Sequence, residues 1–393
     1  MKLLQKILDG GFLFLLGAFL LAGLVKTAFF PKELNTYENR YANALPVPTV
    51  GTVLDCTFQD GVEDALSDQV LLAQTCKKAY NMANSALQLH MLSGFIQSNP
   101  GRYIKLLGLK TFGGENLVYD MQPFPSIQQA LEERAQSLNA LMGGNPGPEY
   151  YAYYIEKDSD MDFETGEKSG AYELLQARLD LPAGHMARLE MDGFDTYREY
   201  FYKTDHHWNY KGSYQGYTQV AKLLGVDEPL LLPQEEKVIS HSFSGSKAAG
   251  MGAKDTFVED FTAYRFRFPP MEVWHDGEPA GDYGSQEAYL AGAAALEVEY
   301  GYFYGGDWGQ LVLDTGREGR GNLLVIGESY DNAILKLLAS HFHKTYSIDL
   351  RNYEKFNGGP FSFSQYLQEH DVQKVLFNGS IGFYTSSELL PGS

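Results

Sequence analysis

The sequence predicts an α/β domain built on a mainly parallel sheet flanked by helices, carried behind an N-terminal membrane anchor. Three observations lead there. Residues 322–326, Asn-Leu-Leu-Val-Ile, are a short apolar run of the kind shown by a strand buried on both faces, and Gly327-Glu328-Ser329-Tyr330 turns it into a helical stretch over 332–340. Upstream, helical and strand patterns alternate between residues 127 and 224. At the start, an apolar run from Gly10 to Val25 follows Lys2 and Lys6.

That run is shorter than the roughly 20 residues a bilayer span needs. Lys26 can snorkel, however, and Phe29-Phe30 suits the interface. A cleaved signal peptide is the other reading, but Lys26 and Phe29-Phe30-Pro31 interrupt any small-x-small cleavage site. Both readings export the rest. Residues 1–30 are thus an anchor or signal segment. Residues 31–99 form a stalk and helical lead-in, loop-like to about 60 and helical in spacing over 61–92. Residues 100–393 form the main domain. Within it, strands and turns are expected over 103–119, a helix over 127–142 stopped by Gly143-Gly144, a strand over 150–155 and helices over 171–179 and 212–224. An irregular insertion occupies about 226–300, and strands follow at 345–350 and 372–377.

The formal net charge is -19, from 50 acidic against 31 basic residues, so the surface repels phosphate backbones and nucleic acid is a poor partner. Only Cys56 and Cys76 are present. They could pair in an oxidising compartment or remain two separate thiols, and they cannot build a thiolate zinc site alone.

Two constellations carry chemistry. Ser329, on the turn between a buried strand and a helix, would stand at the carboxyl edge of the sheet, where a helix dipole and backbone N–H groups can stabilise an oxyanion. Serine there could also be a plain helix cap. Position 331 is Asp, so the Gly-x-Ser-x-Gly elbow is absent. The second constellation is Thr204-Asp205-His206-His207-Trp208. A weak serine nucleophile needs a base, and the base an orienter; Asp205 and His207, two residues apart, can supply both. The adjacent histidines also invite a metal, but no further ligand spacing accompanies them, and the reading calls for no metal and no cofactor.

Thr204-Asp205-His206-His207-Trp208 resembles the signature of the DHHW protein family, which is similar to the alginate O-acetyltransferases. Those relatives have SGNH-hydrolase-like domains with an Asp-x-His motif followed much later by Gly-x-Ser, the order of Asp205-His206-His207 and Gly327-Glu328-Ser329 here. Glu38-Asn39-Arg40 and Asp349-Leu350-Arg351-Asn352-Tyr353 also resemble family segments, while Glu328 stands where SGNH serine blocks carry Asp. The resemblance implies an SGNH-like catalytic domain over 100–393, with Ser329, His207 and Asp205 as its triad. It also implies extracytoplasmic O-acyl transfer (acetyl by analogy) or ester hydrolysis on cell-envelope glycan. The partners would be a glycan acceptor, an acyl donor and a membrane protein that exports acyl groups.

Other positions have two readings each. Asn378 could be an oxyanion-hole side chain or a turn cap before Gly379. Arg351 could hold a substrate anion or pair with a nearby carboxylate. Tyr330, next to the serine, is an oxyanion or substrate candidate. Tyr302, Tyr304 and Trp308 could stack on sugar faces or simply pack. His206 is a structural or substrate contact, and Trp208 a packed platform. Two other function classes stay open: a non-catalytic envelope scaffold or glycan-binding module, and a metal-dependent hydrolase using Asp205 and the histidines.

Overall fold

The computed structural model describes residues 109–250, 254, 256–280 and 298–386, with parts of residues 11–83. It divides into two compact units, residues 1–102 with 248–256, and residues 103–247 with 257–393. In the first unit, helix Val50–Leu54 occupies ground where the sequence suggested a loop, and helix Thr57–Gln69 starts just ahead of the helical stretch expected from residue 61. The buried Gln69 amide ties down Lys32, accepting from its N–H at 2.7 Å and donating to its carbonyl at 2.8 Å. No helix among the described residues is long and apolar enough to cross a membrane. Residues 1–10 of the expected anchor, the far end of the 61–92 helix, Glu38-Asn39 and Cys56 with its possible pairing to Cys76 lie outside the described residues.

The second unit is built on eight strands: β1 Glu149–Ile155, β2 Met186–Leu189, β3 Glu272–His275, β4 Glu278–Pro279, β5 Gln310–Asp314, β6 Asn322–Ile326, β7 Lys344–Ile348 and β8 Val372–Ser380. Their order across the sheet is β4-β3-β5-β7-β6-β8-β1-β2. From β7 to β2 all neighbours are parallel, whereas β5, β3 and β4 join antiparallel at one edge. The sheet is therefore mixed, with a parallel heart.

Burial on both faces explains the apolar strands. Leu323 and Val325 of β6 enter one core, and Leu324 and Ile326 the other. Along β1 the tyrosines split the same way, and each polar tip finds a partner: Tyr153 donates to Gln219 at 2.6 Å and Tyr154 to Asp160 at 2.5 Å. Helix α1 (Phe124–Gly144), with Pro125 in its first turn, lays Ile127, Leu131 and Leu138 on one face beside α2 (Ala171–Arg178). Helix α3 (Tyr210–Leu223) lays Tyr217 and Val220 on the other.

Two expectations are corrected. The stretch 226–300 is not simply irregular: it carries a hairpin, Glu235–Phe243 with Glu259–Arg265, and then β3 and β4, which widen the main sheet. The strands β3 and β4 are four and two residues long, too short to show a period. The helix expected over 332–340 breaks into a 3-10 turn, Asp331–Ala333, and a five-residue helix, Leu335–Ala339.

A carboxylate clamps α3 to the strand ends. Glu228 accepts both arms of Arg317, at 2.8 and 2.6 Å, then Arg320 at 2.9 Å and His341 Nδ1 at 2.9 Å, while Tyr217 and His341 Nε2 share a 2.6 Å bond. The Arg317 hydrogen bonds hold the Glu228 carboxyl down at about 2, against an opposing push from burial. A lowered folded-state value stabilises above the ordinary 4.5 and fades as pH falls towards about 2. We expect the stability gap between wild type and Glu228→Gln to close over that window, measured by urea unfolding in a pH series.

Candidate active site

Asp205 and His207 lie on a tight loop, residues 201–208, closed by a bridge between Phe201 and Trp208. Asn209 follows as the cap of α3, accepting from the N–H groups of Lys211 at 2.9 Å and Gly212 at 3.1 Å. Trp208 is fully buried, as expected of a platform, and donates to the Tyr300 hydroxyl at 3.0 Å. The serine arrives from another direction. β6 runs in the parallel heart of the sheet, and Ser329 stands just past its carboxyl end, the region where open α/β sheets place their sites.

The two segments meet. Asp205 Oδ1 accepts from His207 Nδ1 at 2.6 Å, and His207 Nε2 lies 2.7 Å from Ser329 Oγ. Because a carboxylate only accepts, Nδ1 carries the proton and Nε2 is free to accept from the serine hydroxyl. Asp205 also accepts from the backbone N–H of His207 at 2.9 Å and of Ser246 at 2.7 Å. Burial pushes its carboxyl up, but the His207 and His206 rings and these donors outweigh it and hold Asp205 far below the usual range. The His207 ring lies flat on Tyr300, centroids 3.9 Å apart and planes within 7°.

Supports spread outward. Glu259 accepts from the N–H groups of Lys203 and Thr204, at 2.9 and 2.7 Å, and from the Thr204 hydroxyl at 2.7 Å. Gly245 N–H in turn donates to that hydroxyl at 3.0 Å. Lys247 is fully buried, with Nζ 2.6 Å from Asp158, 2.6 Å from the Tyr197 hydroxyl and 3.0 Å from the Leu117 carbonyl. His206 Nδ1 is 2.5 Å from Ser246 Oγ. Tyr300, Gly245, Ser246, Lys247 and Glu259 had no signal in the sequence, since each acts through a contact distant along the chain.

On the serine side, Gly327 is obligatory: a Cβ there would sit 1.9 Å from Asp331 and 2.6 Å from the Asn378 carbonyl. Glu328, where an Asp was expected, accepts from Ser380 N–H at 2.7 Å and so braces the turn against β8. The backbone N–H groups of Ser329 and Tyr330 find no acceptor among the described residues, leaving them available to an oxyanion. The expected helix dipole is absent as a contributor, because the element after Ser329 is a three-residue turn.

Three other candidates settle differently. Asn378 is fully buried with its amide given to Asp331, whose carboxyl burial drives up, so it is not turned to the cleft. The buried Tyr330 hydroxyl donates to the His206 carbonyl, which makes it a clamp between the two segments and not a substrate contact. Arg351 grips both oxygens of its neighbour Asp349, at 2.9 and 2.5 Å, the carboxylate pairing read as its alternative role. Trp308 does line the cleft at Ser329, whereas Tyr304 is buried and Tyr302 half exposed.

Asp205, His206 and His207 offer ligand atoms within 4.8 Å of one another. A cation there would have to displace Asp205 from His207 Nδ1 or Ser329 from Nε2, since both nitrogens of that ring are engaged.

The fold, α/β with a mixed, mostly parallel sheet, is similar to that of solved structures. The structure of a DHHW family protein from Eubacterium siraeum matches with a TM-score of 0.54 at 14% identity, over 73% of this chain and 95% of that one. Bacillus cereus PatB1, solved alone and with a sulfonyl adduct, matches with TM-scores of 0.52 and 0.53 at 18% and 17% identity, over 72% of this chain and 99% and 100% of those chains. No family model and no curated protein sequence matches.

A methyl group at Gly245 would fall 2.2 Å from Asp205 Cβ and 2.4 Å from its Oδ2. Gly245→Ala should therefore dislodge the carboxylate and cost about 1–3 kcal/mol of stability. We expect the downfield imidazole proton that a short Asp205–His207 bond gives in an NMR spectrum to vanish or move sharply upfield in the variant.

Proposed function

We propose that the protein is a serine-dependent O-acyltransferase or esterase acting on cell-envelope glycan outside the cytoplasm. The observation that carries this reading is the unbroken chain from Asp205 through His207 to Ser329, at 2.6 and 2.7 Å. Ser329 Oγ attacks the carbonyl carbon of an acyl donor while its proton passes to His207 Nε2. Asp205 holds the imidazole by Nδ1–H and stabilises the charge that appears on it. The N–H groups of Ser329 and Tyr330 receive the oxyanion. As it collapses, the donor alcohol leaves with the proton from Nε2, and the acyl group remains as an ester on Ser329. A sugar hydroxyl or water then gives its proton to Nε2 and takes the acyl group, restoring the serine.

The resemblance of the two motifs to the alginate O-acetyltransferases supports an acetyl group and a glycan acceptor, and an acyl-exporting membrane partner as the donor's source. The basic start and apolar run before Lys26 support export and membrane attachment by the N-terminal segment. The sulfonyl adduct in PatB1 accords with an activated nucleophile on this fold.

The test is acylation with 4-nitrophenyl acetate and labelling with a sulfonyl fluoride, read by mass spectrometry of the peptide containing Ser329. Wild type should carry both groups on Ser329. Ser329→Ala and His207→Ala should each lower turnover by about 10³-fold or more, and a chelator should leave turnover unchanged. Unlabelled Ser329 in folded protein would defeat the proposal. Loss of activity on chelation with Ser329→Ala active would favour a metal-dependent hydrolase.

A further inference from the structure

Asn332, three residues beyond Ser329, lines two clefts at once. One is the serine cleft. The other is walled by Tyr210, Tyr214, Tyr264 and Phe266, with Lys336 also lining it. These rings brace one another edge to face, Tyr210 on Tyr264 at 4.7 Å, Tyr214 on Tyr264 at 5.7 Å and Tyr264 on Phe266 at 6.2 Å. All four are only partly buried. Tyr214 also stacks on Phe266, centroids 5.8 Å apart, and the Tyr210 and Tyr214 hydroxyls donate to Glu236 and to the Leu231 carbonyl.

The serine cleft has another character. Asp307, Glu328, Asp331 and Asp349 line it beside Trp308. Arg351, the cation next to it, is already bound by both oxygens of Asp349. Asp307 accepts from Asn332 Nδ2 at 2.6 Å, so the amide shared by the two clefts is fixed from the acidic side. Trp308 is stacked on His275, centroids 3.8 Å apart.

A pyranose has an apolar C–H face and a rim of hydroxyl donors. The aromatic wall suits the face, and carboxylates suit the rim, since they accept from hydroxyls. The Asp307 and Glu328 carboxylates lining the cleft also repel an anionic sugar. We propose that the two clefts form one groove, running past Asn332, for an uncharged glycan chain: one ring rests on the Tyr264 wall while a neighbouring residue offers its hydroxyl at Ser329. What happens at that hydroxyl rests on the acyl-transfer reading; the binding itself does not. Uronate chains are excluded by the acidic end of the groove.

The experiment titrates the full-length Ser329→Ala protein with chitohexaose, cellohexaose and hexagalacturonate, followed by calorimetry and NMR line broadening. A neutral hexasaccharide should bind, with the uronate at least about tenfold weaker. In the same background Tyr264→Ala should weaken the neutral sugar about tenfold, whereas Tyr264→Phe, which keeps the ring, should stay within about threefold. Thermal unfolding checks that the variants fold, and Tyr210→Ala gives the same reading should Tyr264→Ala not fold. The groove is refuted if neither neutral hexasaccharide binds at millimolar concentration, or if folded Tyr264→Ala binds like its parent. Equal binding of the uronate refutes the charge selection. Because this protein lacks the nucleophile, failed binding counts against the groove alone. Failure to acylate Ser329 counts against the chemistry alone.

Discussion

A carboxylate removed from water has to be compensated from every side, and Asp205 imposes that demand on the rest of the site. Leaving such a charge without partners would cost several kcal/mol, so the chain must supply donors in place of solvent. His207 gives two, from Nδ1 and from its backbone, and Ser246 gives a third from forty-one residues further on. That last bond needs residues 244–247 drawn tight, and Gly245 is the only residue type that fits against Asp205. Lys247 then needs its own compensation, which Asp158 and Tyr197 provide in the interior. One buried charge thus specifies where three separate stretches of chain must lie.

The serine is delivered by a different logic. β6 is held between β7 and β8 over its whole length, so its carboxyl end has little freedom. Beyond it, each neighbour of Ser329 is tied to something else: Glu328 to Ser380, Tyr330 to the carbonyl of His206. The second bond matters most, since it links the serine turn directly to the segment bearing the base. A nucleophile on a strand end and a base on a loop would ordinarily drift relative to each other. Here the hydroxyl of Tyr330 ties them together, and proton transfer over hydrogen-bond distance requires such positioning.

What the sequence revealed and what it hid follow from range. Strands β1, β6, β7 and β8 and helices α1 and α3 were legible because their signals are local: a continuous apolar run, a 3.6-residue spacing, a glycine stop. The pairing of Asp205 with His207 was legible for the same reason, two side chains two residues apart. Ser329 could be named because it sits on the turn between an apolar run and a helical stretch. Tyr300 could not, because nothing around residue 300 betrays a ring lying under an imidazole that belongs to residue 207. Asn378 and Tyr330 were read as oxyanion or substrate candidates because a polar tip beside a nucleophile invites that reading. Only the fold shows the buried Asp331 and the His206 carbonyl that take those tips. The broken helix after Ser329 was hidden by good helix formers at 335–339 that the tertiary fold confines to barely more than one turn.

The second histidine of the motif has a physical reason to stay uncharged. The rings of His206 and His207 have centroids 3.8 Å apart, so two imidazolium charges there would repel strongly. Burial, and then the proximity of His207, push the His206 ring down towards the neutral form, and its Nδ1 is occupied by the Ser246 hydroxyl. A proton arriving from Ser329 therefore has one stable place to go, the ring that Asp205 faces at 2.6 Å. The doubled histidine is then a division of labour. One ring accepts the charge, and the other fills space beside it without competing for the proton.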